Sequence, residues 1–278
     1  MTIVGLGLIG GSLGLALKRR RIAREVVGVS RRASTLRRAK ARGAVDWGTT
    51  DLARGVRDAD VVVLATPVDA ILTQGRRAAR LMRRGAILTD VGSTKAEIVR
   101  ALERAVPSGV AFVGAHPLAG SEQRGIEAAD PALFDRSLCV VTPTPHTPRA
   151  ALAAVERLWH AAAGETIRMS PAAHDQALAG GSHLPHLIAY SLALAVDTTA
   201  LPRGPRSFLD MTRVAKSDPE LWDDIFLTNR AAVLAAARRF ERALADLRGR
   251  LARQDRAGLR RLLARAQAKR RALRDASV

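Results

Sequence analysis

His116 stands within VGAHPLAGSE, a Gly/Pro-rich stretch that follows a short apolar run, and further along the chain His183 and His186 recur in SHLPH. A histidine in a loop after an apolar strand is expected to face a ligand rather than a core. Imidazole titrates near neutral pH, so such a residue is suited to taking up and returning a proton. The N-terminus carries Gly5, Gly7 and Gly10 in the pattern G-x-G-x-x-G, running from a strand into a helix. The first glycine allows a tight turn, the second lets the backbone approach a pyrophosphate, and the third permits close helix–sheet packing with the helix N-terminus facing the anion. Gly5, Leu6, Gly7, Leu8, Ile9 and Gly10 are therefore the expected dinucleotide loop. Together these features imply an acid–base group aimed at a redox cofactor.

The end of the second strand bears on which nicotinamide cofactor fits. NAD-binding loops place a carboxylate there to hold the ribose hydroxyls. This chain has Val29, Ser30, Arg31 and Arg32 instead. A serine followed by two arginines can hydrogen-bond and neutralise a 2′-phosphate, which favours NADP over NAD, although arginine is abundant throughout. Thr66 and Pro67 end another strand at the carboxyl edge of the sheet and are expected to line the nicotinamide side. Only Met1 to Val4 precede Gly5, an unusually short first strand that fits a natural start upstream. His183 and His186 share a helix face at a spacing that a metal can use, but no matched carboxylate set accompanies them, and no Cys/His spacing resembles a zinc site. No metal is expected.

The elements that must hold these residues follow from periodicity. Strands are expected over 2–4, 25–29, 61–65, 86–90, 111–114, 137–142 and 165–169, with helices over 8–18, 33–42, 68–83, 96–106 and 148–163. Such alternation implies an α/β, Rossmann-type parallel sheet covered on both faces. From Ser170 onward the pattern becomes all helix, over 171–195, 205–213, 219–247 and 255–276. The expected division is a dinucleotide-binding domain, 1–170, followed by an all-α substrate-binding and dimerisation domain, 171–278. Leu221, Ile225, Ala232, Leu234 and Phe240 lie at helical spacing and are expected to serve both an intrachain core and a homodimer interface.

The chain has 278 residues and a formal net charge of +19, nearly all of it arginine spread over most of the expected helices. That spread reads as solvated helix faces rather than a nucleic-acid footprint, and aromatic residues make up only 3% of the chain, so no stacking platform for single strands is visible. No apolar run reaches bilayer-spanning length and no signal layout opens the chain, so a cytoplasmic enzyme without nucleic-acid or membrane partners is expected. The single cysteine, Cys139, excludes an internal disulfide.

The segments GLGLIGGSLG, TDVGSTKAEI, GAHPLAGSEQRG, HDQALAGGSHLPH and TRVAKSDPELW, in this order and spacing, resemble the prephenate/arogenate dehydrogenases of tyrosine biosynthesis, over residues 1 to about 245. The first segment is shared by very many enzymes; the others in one chain are not. The resemblance implies oxidative decarboxylation of prephenate to 4-hydroxyphenylpyruvate, or of arogenate to tyrosine, with hydride transfer to NADP or NAD. It implies His116 as the base at the ring hydroxyl and Ser93 as the serine that orients it and touches the substrate hydroxyl, with a helix N-cap as the other reading of Ser93. Arg213 is implied for a substrate carboxylate, since its planar fork pairs with carboxylates in two-point fashion. His186, then His183 and His174, are implied substrate contacts. Glu122 matches a position that modulates the site, and is otherwise a loop carboxylate. Asp218, Pro219 and Trp222 are read as serving helix start and packing. Two alternatives share this shape: a 3-hydroxyacid or imine-type NADP dehydrogenase, and a non-catalytic nucleotide-binding module. The hydroxyacid enzymes use a lysine on the second-domain helix, where this chain offers histidines.

Overall fold

A computed structural model describes residues 1–121, 123–197 and 204–273, so the expectation placed on Glu122 lies outside the described residues. The alternation ahead of residue 170 runs β1 (Thr2–Val4), α1 (Leu8–Arg19), β2 (Val27–Val29), α2 (Ala33–Ala41), β3 (Trp47–Thr49), α3 (Leu52–Val56), β4 (Val61–Leu64), α4 (Val68–Leu81), β5 (Ile87–Asp90), α5 (Ala96–Ala105), β6 (Ala111–Pro117), β7 (Ser137–Thr142), α6 (Arg149–Ala163) and β8 (Gly164–Arg168). The strands form one sheet in the order β3-β2-β1-β4-β5-β6-β7-β8. Winding therefore reverses between β1 and β4. A crevice at the carboxyl edge of such a reversal is where α/β sheets bind ligands.

Side chains alternate between the two faces with the period of two that a strand imposes. Ile3 and Val63 enter one core cluster with Leu13, Leu17, Phe134 and Trp159, while their neighbours Val4 and Leu64 enter another with Ile71, Ile98 and Leu102. Helices thus cover both faces, which explains the continuous apolar strands. The sheet departs from an all-parallel one between β6 and β7, which pair antiparallel with His116 opposite Val140. Among the described residues of their connection there is a short 3-10 turn at Ile126–Ala128 and no crossover helix of the kind that a parallel neighbour needs. Because β7 holds its neighbour as far as Pro117, His116 sits within β6 itself and not in the loop that follows.

Beyond β8 the chain is helical: α7 (Pro171–Leu178), α8 (Leu184–Ala195), α9 (Arg206–Thr212), α10 (Pro219–Thr228), α11 (Arg230–Ala252) and α12 (Arg256–Arg271). Two expected long helices are broken. The first opens into a wide π-type turn at Ala179–His183, where Gly180, Gly181 and the missing N–H of Pro185 weaken the regular ladder. The second breaks at Asn229, whose side chain turns to partners described below. The chain divides into two compact units, Met1–Arg230 and Ala231–Val278. Along the apolar stripe Ile225 is buried, whereas Leu221, Leu234 and Phe240 are exposed.

Candidate active site

The glycine loop borders a cavity of about 640 Å³ lined by Gly5, Leu6, Gly7, Ser30, Arg31, Arg32, Thr66 and Pro67 among others. Gly5 adopts φ +96°, a left-handed conformation for which glycine is suited. A Cβ at Gly10 would lie 1.9 Å from the Gly5 carbonyl oxygen, while one at Gly7 would meet nothing within 4 Å. Gly10 thus serves packing and Gly7 leaves its backbone open to a ligand. Helix α1 has no side-chain N-cap and no acidic residue in its first turn, which leaves its N–H groups and positive dipole end to an anion. Thr66 Oγ1 is buried without a hydrogen-bond partner. An orphaned hydroxyl, an open glycine and an uncapped helix end fit a bound dinucleotide. Leu8 and Ile9 do not line this cavity: Leu8 is buried and Ile9 packs on the core, as their apolar side chains require.

A second cavity, about 710 Å³, is lined by Ser93, His116, His183, His186, Arg213 and Trp222, with Arg124 and Asp218. His116 Nδ1 lies 2.9 Å from His174 Nε2, and His174 Nδ1 lies 2.8 Å from Asp175 Oδ1. This chain assigns the protons. A carboxylate can only accept, so His174 Nδ1–H donates to Asp175 and its Nε2 accepts from His116 Nδ1–H. In neutral His116 the lone pair is then on Nε2, the nitrogen that His174 does not engage. Burial, followed by repulsion from His174 and Lys95, holds His116 well below the ordinary imidazole value of 6.5, so it is neutral at pH 7.

Asp175 is fixed in turn by the backbone N–H groups of Lys95 at 2.7 Å and Ala96 at 2.8 Å, at the start of α5. Burial alone raises its pKa, but the hydrogen bonds from His174, Ala96 and Lys95 outweigh it and hold the carboxyl below the usual range. The N-cap reading of Ser93 is thereby corrected. Asp175, from α7, does the capping, while Ser93 lines the cavity and His174 is what orients His116. His174 is fully buried and absent from the cavity wall, so its expected substrate contact is replaced by this supporting position. Beneath it, fully buried Lys95 pairs with Asp90 and donates to the Ala115 carbonyl at 3.0 Å, which ties the ends of β5 and β6 together next to His116.

Asn229 Nδ2 donates to the Asp175 carbonyl at 2.8 Å and to His183 Nδ1 at 3.1 Å. His183 therefore carries its proton on Nε2, which is buried without a partner. Burial lowers its pKa to about 4, leaving a neutral donor on the cavity wall. His186 donates from Nδ1 to the Ser182 carbonyl at 2.9 Å and stacks on Trp222 with ring centroids 3.5 Å apart and planes at 20°. Trp222 is thus part of the cavity wall as well as of packing, and Asp218 lines the cavity while capping α10.

Comparison with known proteins is decisive at this point. The description "Prephenate dehydrogenase, nucleotide-binding domain" matches residues 13–168, and "Prephenate dehydrogenase, dimerization domain" matches residues 170–265. The chain belongs to the prephenate dehydrogenase family. A cyclohexadienyl dehydrogenase from Zymomonas mobilis is 36% identical, over 92% of this chain and 89% of that protein. Among solved structures, prephenate dehydrogenase from Aquifex aeolicus in complex with hydroxyphenyl propionate and NAD+ superposes with a TM-score of 0.90 at 32% identity, over 97% of this chain and 96% of that one. An arogenate dehydrogenase from Synechocystis gives 0.82 at 33% identity, over 97% and 98%.

For this prephenate dehydrogenase family member the structure brings His116, Ser93, His183, His186 and Arg213 to one cavity, and Gly5, Leu6, Gly7, Ser30, Arg31, Arg32, Thr66 and Pro67 to the other. Asp175, Asn229 and Lys95 escaped the sequence reading. Asp175 had one visible signal, its place beside His174 within HDQALAGGSHLPH.

Proposed function

We propose that this chain oxidises and decarboxylates prephenate, arogenate or both, passing a hydride to NAD(P). The observation that carries the reading is the Asp175, His174, His116 chain, which leaves an unprotonated imidazole nitrogen on a residue that lines the second cavity. When bound, the nicotinamide supplies the hydride acceptor. His116 Nε2 takes the ring hydroxyl proton as hydride leaves the same carbon, and carbonyl character develops there. Loss of the ring carboxylate as carbon dioxide returns its electron pair to the ring, which becomes aromatic. The resulting phenolate oxygen recovers the proton from His116, so no net proton is consumed. Arg213 holds a substrate carboxylate, and His183 Nε2–H donates into the same cavity.

The cofactor is NADP in preference to NAD, with Ser30, Arg31 and Arg32 at the 2′-phosphate. Substrate binding and homodimer formation are assigned to the helical part, 171–278, and sedimentation mass checks the dimer. Steady-state assay with both substrates and both cofactors tests the whole reading. Reduced cofactor is expected with at least one substrate, and its absence from all four combinations would refute the reaction. Equal or better kcat/KM with NAD would refute only the cofactor preference.

A further inference from the structure

Among the described residues, Arg124 and Arg213 are the permanent cations lining the catalytic cavity and Asp218 is its carboxylate. The histidines there are pushed toward neutrality by burial, so they cannot balance a dianion. Both substrates of the reading above carry two carboxylates, one on the ring carbon that loses carbon dioxide and one at the end of the side chain. A single guanidinium leaves the second carboxylate without a cation.

Arg124 lies in the connection between β6 and β7, and its Nη2 pairs with Asp218 Oδ1 at 2.6 Å. The two partners are not equally held. Asp218 is 21% exposed and accepts from the Glu220 N–H at 2.9 Å as the cap of α10; Ser217 beside it is anchored by the Tyr190 hydroxyl, which donates to its carbonyl at 2.9 Å. The Arg124 side chain is 59% exposed. An exposed pair of this kind adds little stability, so its value lies elsewhere. Guanidinium has five N–H donors in a planar fork, and pairing through one nitrogen leaves an edge for a second carboxylate.

We propose that Arg124 binds the side-chain carboxylate of the substrate, aimed by Asp218 as a positioning residue, while Arg213 takes the ring carboxylate. This rests on the prephenate/arogenate reading, and the test separates the two. The probe is 3-(4-hydroxyphenyl)propionate, which keeps the phenol and the side-chain carboxylate but has no ring carboxylate; 4-ethylphenol is its uncharged counterpart. Binding of each is measured calorimetrically to the protein with NADP present.

Arg124→Gln is expected to weaken the propionate by at least about tenfold, the loss of a charge-assisted two-point contact, and to leave 4-ethylphenol within about twofold. In turnover it raises KM far more than it lowers kcat, because the side-chain carboxylate keeps its charge through the transition state. Arg124→Lys restores part of the affinity. Asp218→Asn keeps the helix cap, since asparagine caps as well as aspartate, yet loosens the guanidinium and gives a smaller loss of the same kind. Unchanged propionate binding in Arg124→Gln, or an equal loss for both ligands, overturns the inference. If the wild type turns over neither substrate while Arg124→Gln still loses only the propionate, the reaction reading fails and the carboxylate site stands. If the wild type is active and Arg124→Gln binds normally, only the site fails.

Discussion

The Asp175, His174, His116 chain works through acceptors and donors that each have a single choice. Asp175 already receives N–H groups from Lys95 and Ala96, so it is held in place and charged when His174 arrives. Asp175→Asn keeps the shape but has a single acceptor oxygen and no charge for the three N–H groups that Asp175 receives, so it sets an amide N–H against a backbone N–H and weakens the hold on His174 and through it on His116. A fall of roughly 10²–10⁴ in kcat is expected, the scale seen when the carboxylate behind a catalytic histidine is lost, with KM less affected. A fall in KM-dependent terms alone would assign Asp175 to binding. The same geometry sets the pH profile: His116 must be neutral to act, and its pKa lies well below 6.5, so kcat/KM stays level through neutrality and declines only below that value. An acid limb centred above 6.5 contradicts the assignment. His116 could be singled out locally, as an imidazole after an apolar strand, whereas the roles of His183, His186 and Arg213 entered only through the resemblance; the structure brings all four residues to one cavity. Asp175 with Lys95, and Asn229 with His183, were not legible, because the partners lie 80 and 46 residues apart and meet only once the helices pack on the sheet.

At the level of elements, the strand–loop–helix at the N-terminus separates two roles that glycine plays within one motif. Gly10→Ala puts a carbon against the Gly5 carbonyl oxygen at 1.9 Å, and backbone on both sides leaves α1 no cheap way to yield. Gly7→Ala meets open space at φ −82°, a conformation that alanine accepts. Thermal unfolding is therefore expected to show a marked loss for Gly10→Ala and almost none for Gly7→Ala, while Gly7→Ala still weakens dinucleotide binding by about tenfold or more because its methyl occupies the approach to the pyrophosphate. Equal melting temperatures for the two variants would contradict this division. The element order itself was readable from periodicity, since long helices and fully buried strands leave strong patterns. Short β3 and α3 were missed, being too brief for a period to register, with Gly48 in the middle of the strand. The two breaks within expected long helices were missed as well. Gly180, Gly181 and Pro185 weaken the ladder locally at Ala179–His183, and the contact of Asn229 with His183 joins the two breaks only once the helices have packed.

For the molecule as a whole, the histidines around the cavity couple folding to pH. His116, His174, His183 and His186 all sit below 6.5, with burial the largest cause at each. A group with a depressed folded pKa contributes its full stability above the unfolded value and loses it as pH falls toward the folded one, because the unfolded chain binds protons that the native site refuses. For His183, buried at 1% exposure, the window runs from 6.5 down to about 4, a gap of about 2.5 units. At about 1.4 kcal/mol per unit this is at most roughly 3.5 kcal/mol, a large share of the stability of an ordinary domain. Asp175 acts in a lower window, since its carboxyl lies below 3.8 and protonates only under strongly acidic conditions. The melting temperature is therefore expected to hold above pH 6.5 and to fall steeply between 6.5 and 4, before the carboxylates contribute. His183→Gln removes the titrating ring while keeping an amide that can meet Asn229, so its profile should be shallower across that interval even if its plateau is lower. Parallel profiles for the wild type and His183→Gln would show that the buried imidazole does not carry the pH response.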